Sequence, residues 1–412
     1  MRQFSSLLTV LGLGIAAAGI STVVAVTTAA AADQKPTVSK ALAKPLKAAQ
    51  EALQAKKYAD AIAKLREVQN MPGRTAFDDY TINEMLGYAD VRTGNYGEAA
   101  RVYEGTLDSG YVASGDVPSR VRALAQLNYQ TKNYDKAIEF GNRSIKGGYA
   151  DDEMYTLVGQ AYYVKGDLNG TLRFMNKYVD DLEKAGRTPK EQSLQIIMSA
   201  CAKKNDDACT TKALENLVAR YPKPEYWQNL LYSLISAPNN SDNLQLNIFR
   251  LAAEVDILKR PDDYTEMAQL AMEAGLPGEA QAILEKGFAR NLFSEGRTKD
   301  KNTRLLESAR KLSVADKASL PSLENQAKSG DQNVKLGMAY LSYEQFDRAV
   351  AAIQRGIAKG GVKNPEEASI ALGIAQLHLK NKEEALKAFR AAKGDSKLSR
   401  VASLWALHAQ QS

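Results

Sequence analysis

The segment Met85–Tyr103, MLGYADVRTGNYGEAARVY, returns along the chain in altered copies. Each copy has Leu-Gly or a small substitute, then an aromatic or small residue, a turn, and an aromatic or apolar residue followed by Ala. The repeat is about 34 residues long, a period that signals paired helices stacked into a solenoid. One such pair cannot bury its apolar face alone, so the copies must stack on one another. There is little sustained period-two alternation and few Asn-Gly or Asp-Gly turns, so the expected class is all-α.

The copies can be placed by their residues. Tyr58, Ala61 and Leu65 mark the second helix of the first copy, which Pro72 ends. Leu86-Gly87, Gly94-Asn95-Tyr96, Ala99 and Tyr103 make the second. The third has Leu124-Ala125, Asn133-Tyr134 and Ala137, and the fourth has Gly159, Tyr162, Gly166-Asp167 and Phe174. Residues 190–221 read as a fifth hairpin, and Tyr226 to Pro261 as a longer sixth that turns at Pro238-Asn239-Asn240-Ser241. Tyr264, Ala268, Ala280 and Leu284 mark a seventh. The pattern breaks over 288–328, where only a helix around Arg304 to Leu312 is expected. It resumes with Leu336-Gly337, Tyr340 and Ala349, and again with Leu372-Gly373, Ala385 and Phe389.

These residues resemble the tetratricopeptide repeat family. The resemblance implies a right-handed α-solenoid of about nine helical hairpins with a C-terminal capping helix. The expected organisation is a signal peptide at 1–32, a linker at 33–41 and an N-terminal repeat array at 42–187. Degenerate helical repeats follow at 188–290, then an irregular helical connector at 291–329, and a C-terminal repeat pair with its capping helix at 330–412.

The leader expectation rests on Arg2, an uncharged apolar run from Leu7 to Val26, and Ala29 to Ala32 before Asp33. This is the pattern of a cleaved secretory signal and implies a periplasmic protein, with an uncleaved anchor as the alternative. No second segment is long and apolar enough to span a bilayer, so no membrane contact is expected once the leader is removed. The net charge of +6 over 412 residues is mild, and Lys and Glu alternate along the helices. That argues against nucleic acid, which calls for basic residues clustered on one face.

Catalytic chemistry finds little support. The two histidines, His378 and His408, lie apart in sequence without neighbouring Cys or paired carboxylates, and read as surface or packing residues. Asp167-Leu168-Asn169-Gly170 lacks the remaining ligands of a calcium loop and reads as a repeat turn. Asp151-Asp152 and Asp262-Asp263 fall where helices begin and suit capping. A helical lytic enzyme would need a buried Glu; Glu254 and Glu273 are available, without a surrounding motif. No enzyme, metal or cofactor is expected. The two cysteines, Cys201 and Cys209, flank the turn of the fifth hairpin, and an even count in a secreted chain predicts a disulfide between them.

The resemblance also implies that the first helix of each hairpin lines a concave groove. Carried over, the groove positions are Gln50 and Gln54, Tyr88 and Arg92, Arg122, Gln126, Tyr129 and Gln130, and Gln160 and Tyr163. This amide and aromatic stripe suits an extended peptide. The expected function is a non-enzymatic protein–protein interaction scaffold of the periplasm, serving envelope assembly or export. The alternative is a polysaccharide-binding or export accessory protein of the envelope.

Overall fold

The computed structural model describes residues 36–293, 296–394 and 396–412, so the expected leader lies outside the described residues. Every regular element among these is an α-helix. The chain divides between Thr210 and Thr211 into two compact units.

The first unit holds α1 (Lys40–Gln54), α2 (Tyr58–Gln69), α3 (Ala76–Thr93), α4 (Tyr96–Leu107), α5 (Val117–Gln130), α6 (Tyr134–Lys146), α7 (Asp152–Lys165), α8 (Leu168–Lys184) and α9 (Glu191–Lys203). Helix α10 (Asp207–Arg220) crosses the division. Odd and even helices pair as hairpins, and each hairpin packs on the next through α2 on α3, α4 on α5 and α6 on α7.

Glycine at the centre of the repeat explains the close pairing. A Cβ on Gly87 would run into the Tyr103 ring, and one on Gly159 into Met175. The same spacing recurs in the second unit, where Gly337 faces Ile353 and Gly373 faces Phe389. In the third copy both positions are small: Ala125 stands at the first, and Gly141 at the second makes room for Val158 of the following helix. Each hairpin thus keeps one small residue where its two helices come closest, and a larger one fills the volume opposite or beyond it. The turns obey a second local rule. Gly94 (φ 81°) and Gly166 (φ 92°) end their helices in the left-handed conformation, which costs glycine little.

Capping follows the sequence expectation at several helix starts. Asp151 accepts from the Met154 amide at 3.0 Å, and Asp167 from the Gly170 amide at 2.7 Å, which makes Asp167 a repeat-turn cap. Buried Asp78 accepts from the Thr75 amide at 2.8 Å and the Ser39 amide at 2.9 Å, tying the chain entry to α3. Cys201 and Cys209 form a disulfide, their Cα atoms 5.5 Å apart, and so join the end of α9 to the start of α10.

The second unit holds α11 (Pro224–Ile235), α12 (Asp242–Glu254), α13 (Pro261–Glu273), α14 (Pro277–Ala289), α15 (Arg297–Gln326), α16 (Gly330–Ser342), α17 (Phe346–Lys359), α18 (Pro365–His378), α19 (Lys382–Ala391) and α20 (Lys397–Gln411). The expected irregular connector is instead one helix, α15, of 30 residues. Its charged residues mask a single buried stripe: Leu306, Ala309 and Leu320, with polar Asn302 at its start and Ser313 between them, are buried at helical spacing, and the helix packs on α13, α14 and α16.

The unit also closes on itself, because α20 packs on α18 and α19 and on α12. Arg400 pairs with Glu215 at 2.6 Å, Gln411 donates to the Val218 carbonyl at 2.8 Å, and Lys397 donates to the Pro238 carbonyl at 3.2 Å. The two histidines are not isolated side chains. His378 and His408 both meet Glu254, the last residue of α12. Sequence separation hid this, since the three residues belong to three helices that only the closure brings together.

The packing and the disulfide make three predictions. Gly105, in α4, has open space where a Cβ would stand, so Gly105→Ala should raise stability by about 0.5–1 kcal/mol. Gly87→Ala should lower it by about 1–3 kcal/mol, because the Tyr103 ring is pinned under Arg120 and cannot give way. Urea unfolding midpoints of the two variants test this, and equal shifts would refute it. Replacing both cysteines by Ser should cost the first unit about 2–3 kcal/mol, in the loop-closure account of so short a bridge, measured the same way.

Candidate functional site

The candidate stripe belongs to the first unit. The spacings within α1, α3 and α5 keep its residues on one face of each helix: Gln50 and Gln54, Tyr88 and Arg92, then Arg122, Gln126, Tyr129 and Gln130. Gln54, Arg92 and Gln130 are exposed, while Gln50, Tyr88, Arg122, Gln126, Tyr129 and Tyr163 are half-buried.

Gln160 does not belong to an open stripe. It is 5% exposed. Helix α7 is covered by α6 and α8 as in every hairpin, and α5 and α9 also pack on it, so the run Thr156–Ala161 is buried throughout. Three residues on, Tyr163 lies near the helix end and is only half-buried.

Two of the half-buried tyrosines of the stripe, Tyr88 and Tyr163, carry cations. The Arg92 guanidinium lies 5.6 Å from the Tyr88 ring centroid and 5.8 Å from that of Tyr58, the first residue of α2. The two rings meet edge to face at 6.3 Å. A hydrogen bond that Arg92 donates to the Tyr58 hydroxyl oxygen, helped by both phenols, holds the Arg92 pKa above its ordinary value. Lys203 at the end of α9 places its ammonium 5.0 Å from the Tyr163 centroid. Tyr129 meets Tyr134 edge to face at 5.7 Å, and burial pushes its phenol pKa up.

Tyr58 and Lys203 were not among the expected groove residues. Each lies on a different helix from the tyrosine it serves, and the helix periodicity used to place the groove does not reach across helices. Neither Arg92 nor Lys203 has a carboxylate within ion-pair distance among the described residues. Arg122, by contrast, is committed to Asp151 at 2.5 Å and Glu153 at 3.8 Å. The stripe therefore offers two uncommitted cations, each set over an aromatic ring, with the amides of Gln126 and Gln130 on α5.

Beside the stripe, a 380 Å³ surface cavity is lined by Asp152, Tyr155, Tyr178, Asp181, Arg187 and Lys190, among others. Its groups satisfy one another. Tyr155 and Tyr178 stack face to face at 4.2 Å. Asp152 accepts from the Tyr178 hydroxyl at 2.7 Å and from Arg187 at 2.8 Å. The hydrogen bond from Tyr178, with Arg187 and Lys190 nearby, holds the Asp152 pKa below the usual carboxylate range despite burial. The arrangement braces α7 against α8. Among the described residues no cluster of His, Cys, Asp and Glu has the geometry to hold a metal ion.

The tetratricopeptide repeat family profile matches residues 84–153 and 334–398, which include the best-formed hairpins of both units. The chain carries tetratricopeptide repeats over those residues. Proteins of this kind generally mediate protein–protein interactions, and their fold is typically a non-catalytic scaffold. Among solved structures, the chain is similar to a tetratricopeptide repeat protein from Parabacteroides merdae at 14% identity. That match covers 82% of this chain and 100% of the other, with a TM-score of 0.32. It is similar to the TPR2AB domain of yeast Sti1 in complex with pHSP90 at 18% identity, over 72% and 100% of the two chains, TM-score 0.26. It is also similar to yeast Tom70 at 12% identity, over 90% and 96%, TM-score 0.25. No curated protein matches the sequence. Among the described residues no helix is long and apolar enough to cross a membrane.

The placement of the two glutamines makes a test. Gln126→Glu should leave stability unchanged within about 0.5 kcal/mol, as a surface substitution does. Gln160→Glu, which buries a carboxylate, should cost about 2–4 kcal/mol by chemical unfolding. Equal effects would refute the assignment of Gln160 to the interior.

Proposed function

We propose that this protein is a non-enzymatic periplasmic interaction scaffold that holds an extended, acid-bearing peptide segment along the first helices of its N-terminal unit. One observation carries the proposal. Arg92 and Lys203 are held over tyrosine rings without a carboxylate partner. A peptide carboxylate on either cation would gain a charge-assisted hydrogen bond, while the Gln126 and Gln130 side chains offer donors and acceptors to the peptide backbone. Cations resting on tyrosines also bear against the polysaccharide alternative, because sugars stack on open ring faces. The Tyr88 and Tyr163 faces are shared with Arg92 and Lys203.

The periplasmic part of the proposal draws support from the disulfide, which uses both cysteines of the chain. Structural disulfides persist in oxidising compartments and are rare in a reducing cytosol.

Selection of a displayed-peptide library against the intact protein tests the proposal. The selected peptides should be enriched in Asp and Glu. Their affinity should fall at least tenfold in the Tyr88→Ala/Arg92→Ala/Tyr163→Ala variant, on the order expected when more than one contact of about 1 kcal/mol is removed. Peptides without acidic bias, or binding unchanged in the variant, would refute the assignment of the stripe. Glycan-array binding that the variant abolishes would favour the polysaccharide alternative.

A further inference from the structure

We propose that helix α15 is a docking surface for an amphipathic helix of a partner protein, one whose apolar stripe is flanked by Asp and Glu. The proposal does not rest on the peptide stripe of the first unit, which lies on other helices.

The sequence of α15 divides its faces. Leu306, Ala309, Ser313 and Leu320 are buried within the second unit. Beside that side runs a second row, Lys301, Leu305, Ser308, Leu312, Ala315 and Ser319, spaced alternately by four residues and by three. That spacing is the seam along which one helix pairs with another. Leu305 and Ser319 are half-buried, and the other four are exposed. Leu312 is 47% exposed, so a large apolar side chain stands in water at the middle of the row. The small residues around it, Ser308, Ala315 and Ser319, would let a second helix come close.

Cations flank the row on the side away from the buried stripe. Arg297, Arg304 and Lys311 recur at the heptad spacing, so they line up along the helix. Among the described residues none of the three has a carboxylate within ion-pair distance, and neither has Lys301. Their neighbour Arg310 is by contrast held by Glu285 at 2.9 Å. Arg297, Lys301 and Arg304 line a surface cavity of 510 Å³ with Asp300, Ser308 and Gln269 of α13, among others. The cavity opens beside the upper half of the seam and has room for side chains of a docked helix.

A merely solvated helix face would satisfy its charges with neighbours one turn away. Here the cations are unpaired, and Arg297, Lys299 and Lys301 crowd the N-terminal end of α15, where the helix dipole is itself positive. Gly296 brings no side chain to cap that end. Acidic side chains arriving on a partner would relieve this repulsion. Charges flanking a helix seam choose the partner through salt bridges across it, so a basic flank calls for an acidic one. A second copy of α15 laid antiparallel would instead set these cations against one another.

Fluorescence anisotropy of synthetic helical peptides with the intact protein tests this. The first peptide, about three heptads long, has a Leu seam flanked by Glu. The second has Lys in place of each Glu, and the third has the composition of the first in an order without a stripe. The first should bind at least about tenfold tighter than the other two, and more weakly as salt rises. Arg297→Ala/Arg304→Ala/Lys311→Ala should weaken it about tenfold, the change expected when three partly exposed ion pairs are lost together. Leu312→Ser should weaken it too, with helix content unchanged by circular dichroism in both variants. Tyr88→Ala/Arg92→Ala/Tyr163→Ala should leave it unchanged. Equal binding of the three peptides, or binding of the first that neither α15 variant weakens, would overturn the proposal. Loss confined to the first-unit variant would overturn it as well, by assigning the peptide to the other stripe. So would a dimer in sedimentation velocity that the α15 variants break, which would assign the face to a second copy of the chain.

Discussion

The architecture depends on the closest approach inside each hairpin. Gly87 under Tyr103, Gly159 under Met175, Gly337 under Ile353 and Gly373 under Phe389 are the same contact made four times. It sets how near the two helices lie, which sets what the outer faces can present to the neighbouring hairpins. In the third copy both positions are small, Ala125 and Gly141, and Val158 of the following helix comes in against Gly141 instead.

That contact explains why the stripe is polar. In those four hairpins the large partner comes from the second helix, and the first helix turns its small residue inward. The remaining face of the first helix is then free to carry Tyr88 and Arg92, or Gln126, Tyr129 and Gln130. Where a further helix packs over that face, as α9 does on α7, the face is lost to the interior and Gln160 with it.

Much of this was legible in the sequence, for local reasons. Small-to-large spacing, left-handed turn glycines, aspartate caps and the cysteine pair across one turn are all written within a single hairpin. What stayed hidden was set between hairpins. Helix α15 looked irregular because its exposed charges outnumber its buried stripe. Tyr58 and Lys203 join the stripe from helices other than those of the tyrosines they serve, and Glu254 meets His378 and His408 only through closure of the second unit.

The central claim is that the first helices of the N-terminal unit form the binding face. A hydrogen-exchange footprint of a selected acidic peptide on the intact protein addresses it most directly. The account predicts added protection in α3, α5 and the end of α9, with α4 and α6 unchanged. Protection confined to α4 and α6, or to the second unit alone, would contradict it.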